Sequence, residues 1–305
     1  MLEFGRLITA VITPFNDDGG VDYEVFGRLC EGLLDAGNDA LVVTGTTGES
    51  PVLDEDERAA LYREAVRASR GKGKVIAGTG GYNTDESIHL SKLAADCGVD
   101  GLLQVAPYYN KPPQAGLIRH FAAIAEATPL PNILYNVPSR TITNIDAETT
   151  ARLSEIDNIV AIKEASGDLD QIAEIIRTAE NGFLVYSGND GDTFPIMALG
   201  GVGVVSVASH LISGEIRDMI DAFVRGAWEA ARDVHLEMLP LVRALFPPGW
   251  SSPIAVKAAV NVAGFPAGVP RLPLVELPSQ MQANLKELLG EYALDSYLMT
   301  AAVPS

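Results

Sequence analysis

The sequence predicts an α/β fold, a (β/α)8 TIM barrel with a C-terminal helical appendage, on three observations. Eight short apolar runs rich in branched residues recur along the first two hundred or so positions. Stretches with helical periodicity separate them. The runs are continuously apolar instead of alternating, which marks strands covered on both faces and therefore parallel. Eight such units favour a closed barrel over an open doubly wound sheet. A dinucleotide-binding fold is excluded separately: Gly78-Thr79-Gly80-Gly81 runs on into Tyr82-Asn83, so the GxGxxG pattern fails.

The elements follow in order. Strands are expected over 7–13, 40–44, 74–78, 101–105, 132–136, 159–163, 183–187 and 202–205, each a run of Val, Ile, Leu and Ala. Helices are expected over 23–36, 55–69, 85–97, 116–127, 147–156 and 169–179. In the second of these, Leu61, Ala65 and Val66 form the buried side of a charged stretch from Asp54 to Arg67 that reads as solvated. Gly200-Gly201-Val202-Gly203-Val204 resembles a phosphate cradle, but reads better as a tight turn into the eighth strand. After Gly226 the strand signal stops. Helices over 227–245, 252–263 and 279–289 remain, broken by Pro247-Pro248-Gly249 and by several prolines from Pro266 to Pro278. The expected organisation is a catalytic barrel over 1–225 and a helical domain over 226–305.

Composition narrows the function classes. With 305 residues, 47% hydrophobic and 20% charged, the chain can bury a sizeable core. No apolar run approaches the roughly 18 residues that span a bilayer. Met1-Leu2-Glu3-Phe4 lacks the basic and apolar regions of a signal peptide, so a cytoplasmic location is expected. Cys30 and Cys97 are too few for a disulfide framework and read as reduced core residues. Forty acidic against 22 basic side chains give a net charge of -18. Such a surface repels nucleic acid and anionic membranes, so neither is expected as a partner. Most of this charge serves solubility, but an anionic substrate would need a local cationic device.

In a barrel of this kind the active site lies at the C-terminal ends of the strands. There the sixth run, Ile159-Val160-Ala161-Ile162, delivers Lys163. Beside an apolar surface its ammonium loses hydration, which lowers its pKa and frees the lone pair to attack a carbonyl and form a Schiff base. A lysine at a strand end can also simply snorkel to solvent. Three other segments argue for chemistry. Gly45-Thr46-Thr47-Gly48-Glu49-Ser50 offers hydroxyl and N–H groups between glycines, suited to a carboxylate. Pro107-Tyr108-Tyr109-Asn110-Lys111-Pro112 and Tyr135-Asn136-Val137-Pro138-Ser139-Arg140 end the fourth and fifth strands. Tyrosines near a lysine and a threonine suggest a hydroxyl relay for protons. Arg140 offers a bidentate fork for a carboxylate, or else a structural ion-pair partner in so acidic a chain. Ser187-Gly188-Asn189-Asp190 ends the seventh strand. The histidines at 89, 120, 210 and 235 show no metal-ligand spacing and read as surface or satisfied core residues.

These segments, together with Ile162-Lys163-Glu164-Ala165, resemble the pyruvate-dependent class I aldolases, the N-acetylneuraminate lyase family. The resemblance runs in order from Gly5-Arg6-Leu7 to Pro253-Ile254-Ala255-Val256-Lys257. The Pro138-Ser139-Arg140-Thr141 extension marks the branch that condenses pyruvate with L-aspartate 4-semialdehyde in the diaminopimelate route of lysine biosynthesis, because neuraminate lyases usually lack that arginine. The resemblance implies a lyase in which Lys163 forms the imine. It implies that Thr46, Tyr135 and Tyr109 relay protons, with Tyr109 donated across a tight dimer interface within a homotetramer. Thr47 and the backbone around Val205 would hold the pyruvate carboxylate, Arg140 would receive the semialdehyde carboxylate, and Gly188 would leave room for substrate. No metal or organic cofactor is implied, since the imine is itself the electron sink. Ser50, Glu86 and Tyr108 match an allosteric lysine pocket, whereas Glu55, Arg58 and Tyr82 depart from it and imply weak or absent feedback inhibition. The rival readings are a Schiff-base aldolase acting on a sugar acid and a silent metabolite-binding barrel. The segment Phe246-Pro247-Pro248-Gly249-Trp250-Ser251 receives no functional account from the sequence.

Overall fold

The computed structural model of the chain describes residues 3–300. Residues 1, 2 and 301–305, the outer ends of the two expected domains, lie outside the described residues. Eight strands close into one parallel barrel in chain order: β1 (Leu7–Ala10), β2 (Ala40–Val43), β3 (Lys74–Gly78), β4 (Gly101–Val105), β5 (Asn132–Asn136), β6 (Ile159–Glu164), β7 (Leu184–Ser187) and β8 (Gly203–Ser206). Pairing of Ile8 with Val205 closes the ring between β1 and β8. The (β/α)8 class expected from the sequence is the fold observed.

Two strands end earlier than their apolar runs, each for a local reason. After Ala10 the chain leaves the sheet, and the Ile12 N–H donates to the buried His210 ring at 3.2 Å instead of to a neighbouring strand. At Thr44 the backbone turns into the left-handed region with φ of 55°, which no strand residue adopts.

Both faces of every strand are buried. Ile8, Val42, Ile76, Leu103, Ile133, Tyr135, Ala161, Tyr186 and Val205 share the barrel interior. Leu41, Val75, Leu102 and Val204 on one side, and Leu134, Ile162 and Val185 on the other, pack outward under the helices. Phe4, fully buried with the interior residues, plugs the N-terminal end, where the Tyr186 hydroxyl donates to the Gly5 carbonyl at 2.8 Å. The barrel is therefore open only at the C-terminal ends of its strands.

The helix Glu55–Ser69 starts on a reciprocal capping box between Asp54 and Glu57. Leu61 and Ala65 are buried beneath it, with Val66 partly so. Its charged face is not simply solvated: Glu57 pairs with Arg271, and the Arg58 guanidinium donates to the Ser50 and Leu53 carbonyls. Two helices outside those expected from the sequence, Thr193–Leu199 and Ser213–Val224, complete the ring. Trp228–Leu245, Ser252–Val262 and Ser279–Leu289 follow, and their Leu241, Leu245, Val256, Leu285 and Leu289 share one apolar cluster with the outward residues of β1 to β4.

The glycine run before β8 makes the expected turn. Gly200 ends its helix with φ of 118°, and a Cβ on Gly203 would lie 1.9 Å from the Arg6 carbonyl oxygen. Cys30 and Cys97 are both buried free thiols. The histidines correct one expectation. His89 is exposed against Glu55 and His210 is satisfied, but His120 and His235 each bury one ring nitrogen without a partner among the described residues. The other ring nitrogen of His120, Nδ1, meets the Thr84 hydroxyl at 2.9 Å and its ring packs edge-on to Phe121, while His235 stacks on Phe194. Among the described residues no helix is long and apolar enough to cross a membrane.

Gly203→Ala should lower the thermal midpoint, since backbone must move at the β1–β8 junction; overpacking of this kind costs roughly 1–3 kcal/mol or more. An unchanged midpoint in calorimetry would show slack there that the structure does not have.

Candidate active site

The loop after β2 is built under tension. Thr44, buried and β-branched in a left-handed conformation, is held by its hydroxyl, which donates to the Gly78 carbonyl (3.1 Å) and accepts from the Tyr62 hydroxyl (2.8 Å). The loop then folds on itself, with Gly48 N–H to the Gly45 carbonyl and Glu49 N–H to the Thr46 carbonyl, both at 3.1 Å. Glu49 is again left-handed, with φ of 57°. Gly48 allows the close approach: a Cβ there would lie 3.0 Å from the Val11 carbonyl, while the Thr13 hydroxyl donates to the Gly48 carbonyl at 2.7 Å. The result is a half-buried Thr46 and a buried Thr47 at the mouth of the barrel.

Register places Lys163 of β6 directly beside Tyr135 of β5. The Lys163 ammonium lies 4.3 Å from the Tyr135 ring centroid, and only 5% of the residue is exposed. Burial pushes the amine down to about 7; the Asp190 carboxylate works against this shift and the Arg140 guanidinium adds to it. The shift favours the neutral amine, the form that attacks carbonyls. Burial likewise raises the Tyr135 phenol, while Arg140 and the Thr46 side chain pull it back.

A cavity of about 120 Å³ covers this amine. Thr46, Thr47, Tyr135, Arg140, Lys163 and Gly188 all line it. Gly188 is closed around the lysine itself: a Cβ there would lie 2.6 Å from Ala165 Cβ and 3.1 Å from Lys163 Cγ. Val205 is fully buried in the barrel interior, and the β8 side of the cavity is formed by Val207. Arg140 is exposed at the mouth, where it donates to the hydroxyls of Ser251 (3.2 Å) and Ser252 (3.1 Å). Among the described residues no carboxylate lies within ion-pairing distance of it, so the ion-pair alternative drops away.

A wider cavity of about 680 Å³ adjoins the first and shares Thr46, Val137 and Arg140 with it. Ser50, Glu86 and Tyr108 line it, as do Glu55, Arg58 and Tyr82. Tyr82 and Tyr108 meet edge to face, with centroids 5.1 Å apart. Tyr109 reaches neither cavity. It is 90% exposed and left-handed, with φ of 73°, an unusual pose for an aromatic residue.

Sequence reasoning placed Asp190 at the end of the seventh strand but gave no role to it or to the residues around the start of the helix Ser252–Val262. Asp190 is buried and accepts from the Ser206 hydroxyl and from Val207 N–H (3.0 Å) and Ala208 N–H (3.3 Å). It thus holds the cavity wall on β8 and places an anion near Lys163. Phe246 and Ser251 belong to the unexplained Pro-Pro-Gly-Trp segment, whose break in helical pattern was the available signal, and Ser252 opens the helix that follows it. Among the described residues no cluster of His, Cys, Asp or Glu could hold a metal ion.

The model of the dihydrodipicolinate synthetase family matches residues 3–292. A 4-hydroxy-tetrahydrodipicolinate synthase from Heliobacterium modesticaldum is 52% identical over 97% of this chain and 98% of its own length. One from Halalkalibacterium halodurans is 52% identical over 93% of the chain and 96% of its own. Among solved structures, a dihydrodipicolinate synthase from Bacillus anthracis superposes with a TM-score of 0.93 at 46% identity, covering 96% of this chain and 100% of that one. Another, from Cyanidioschyzon merolae with lysine bound, gives 0.91 at 46% identity, covering 98% of each chain.

Amine-selective labelling of Lys163 should rise with pH around a midpoint near 7, and Asp190→Asn should move that midpoint lower by removing the charge that favours the ammonium. The linked stability has a definite sign. The folded amine binds its proton less tightly than the unfolded one, so its burden on the fold is full below about 7 and vanishes as pH rises towards 10.5. Lys163→Met should therefore raise the thermal midpoint more at about pH 6 than at about pH 10.

Proposed function

The chain belongs to the dihydrodipicolinate synthetase family, and we propose that it condenses pyruvate with L-aspartate 4-semialdehyde through an imine on Lys163. The product is 4-hydroxy-tetrahydrodipicolinate, in the diaminopimelate route to lysine, and the reaction takes place in the cytoplasm. The observation that carries this reading is the buried amine with its pKa near 7, enclosed with Thr46, Thr47 and Tyr135 under an arginine that has no acidic partner among the described residues.

The chemistry follows from that geometry. The neutral Lys163 amine adds to the C2 carbonyl of pyruvate, and loss of water gives the protonated imine. This cation draws electrons from C3, whose proton leaves to give an enamine. The enamine C3 then bonds to the aldehyde carbon, and the oxygen takes a proton. The amino group of the semialdehyde attacks the imine carbon, closing the ring and releasing Lys163. Proton movements at each step suit hydroxyls of matched acidity: Thr46, Tyr135, and Tyr109 supplied by a second copy of the chain. Thr47, the loop N–H groups and the β8 backbone around Val205 hold the pyruvate carboxylate. Gly188 leaves room for substrate beside the lysine. Arg140 takes the semialdehyde carboxylate, and it is the local cation that a chain of net charge -18 needs to attract an anion.

The exposed, left-handed Tyr109 supports an assembly that covers it, a homotetramer made of tight dimers. Ser50, Glu86 and Tyr108 form an allosteric lysine pocket in the wider cavity. Arg58 adds a charge there that repels an ammonium and Tyr82 adds bulk, so feedback inhibition is weak.

The deciding experiment is condensation of pyruvate with L-aspartate 4-semialdehyde, coupled to NADPH oxidation by the next reductase, with sugar-acid cleavage run in parallel. Robust turnover is expected with the semialdehyde; activity on the sugar acid alone would overturn the substrate assignment. Arg140→Ala should lower kcat/KM for the semialdehyde by about 10- to 100-fold, the worth of a charged hydrogen bond, while borohydride still traps pyruvate on Lys163. Tyr109→Phe should cut kcat by roughly 10²-fold or more, and full turnover in that variant would remove Tyr109 from the relay. Inhibition by L-lysine at sub-millimolar concentration would sink the weak-feedback reading.

A further inference from the structure

Glu49, the last residue of the loop that carries Thr46 and Thr47, buries its carboxylate completely. One oxygen takes a 2.6 Å ion pair from Lys257 Nζ, and both side chains are 1% exposed. The other accepts the Arg271 backbone N–H at 2.9 Å. The Lys257 ammonium also lies 4.1 Å over the Phe15 ring, and the Arg271 guanidinium lies 4.3 Å from that centroid. Arg271 then grips Glu57 with two hydrogen bonds, of 2.8 and 2.5 Å, and the Val52 carbonyl at 2.9 Å. This chain of alternating charges runs from the mouth of the barrel into the C-terminal helix Ser252–Val262 and the segment after it.

Such an arrangement is a poor way to gain stability. Two buried ions lose hydration that their attraction only about restores, and apolar residues of similar shape often do as well. Glu49 is also left-handed, a strain of roughly 1–3 kcal/mol that persists only where surroundings over-determine it. Thr44 carries the same strain at the other end of the loop, held by Tyr62 and the Gly78 carbonyl. The four residues between are thus suspended from two strained anchors, each fixed by buried polar side chains. A loop set in this way presents its hydroxyls and N–H groups at fixed positions, which a flexible glycine turn would not.

We infer that Lys257 is a positioning residue: through Glu49 it sets the Thr46-Thr47 loop in the geometry that receives the carboxylate of the keto acid. This rests on the carboxylate-binding role proposed above for that loop. The C-terminal helices thereby act on substrate affinity without touching substrate.

The test uses the full chain and two variants. Lys257→Met leaves Glu49 buried and uncompensated, so it should lower the thermal midpoint. The double variant Glu49→Gln/Lys257→Met removes both charges, keeps an acceptor for the Arg271 N–H, and should recover most of that midpoint. Imine formation is read by borohydride reduction on Lys163 with two ketones, pyruvate and the carboxylate-free acetone. In the double variant, half-maximal trapping should require about tenfold more pyruvate or greater, the scale of a small misplacement of a binding group. Trapping with acetone should stay within about twofold. Recovery of pyruvate affinity along with stability, or equal losses for both ketones in both variants, would overturn the positioning role. Absence of a pyruvate adduct in the unaltered chain, with acetone still trapped, would instead overturn the keto-acid reading and this inference with it.

Discussion

Everything at the mouth of this barrel depends on one desolvated amine. A closed parallel sheet points alternate side chains into an apolar interior, and at the sixth strand that alternation carries Lys163 inward behind Ala161. The barrel supplies little to solvate an ammonium there: a tyrosine face at 4.3 Å and a buried carboxylate tied up by three donors. The ordinary preference of lysine for its proton gives way, and a side chain that is inert on most surfaces becomes a nucleophile at neutral pH. Tyr135, Thr46 and Gly188 are then neighbours by register and loop geometry, and none of them needs an unusual conformation of its own.

Much of this was legible in the sequence because parallel barrels write their strands as uninterrupted apolar runs. Seven of the eight strands span residues that the pattern identifies to within one position at either end, and the lysine, the paired threonines and the tyrosine fall where those runs stop. What the pattern could not carry was direction change. The ends of β1 and β2 were overrun because Ile12 and Thr44 are good strand residues locally, and only a histidine from the turn after β8, remote in sequence, and a left-handed turn remove them from the sheet. The helix Thr193–Leu199 was missed because it is barely two turns long, whereas Ser213–Val224 carries an apolar face that its sequence already displays.

The site residues that escaped notice share a different cause. Asp190 sits in a glycine-rich turn where an aspartate is unremarkable, and its importance lies in what it accepts from the end of β8 and the two residues after it, which follow it by a whole helix. Ser251 and Ser252 are ordinary serines beside prolines until the chain folds back over the mouth and they meet Arg140 across more than a hundred residues. Glu49 and Lys257 are separated by more than two hundred. Local sequence reports periodicity and turn chemistry; partners at such separations exist only after the barrel closes.

The plug at the other end has a consequence of its own. With Phe4 filling the base of the tube and Tyr186 tied to Gly5 beside it, nothing can pass through the barrel. The space over Lys163, about 120 Å³, is the volume of a few water molecules and admits one small molecule at a time. Whatever enters first therefore occupies the floor, and the second reactant can only be stacked above it. A blind shaft of this width makes the sequence of arrival a matter of plumbing and not of relative affinity.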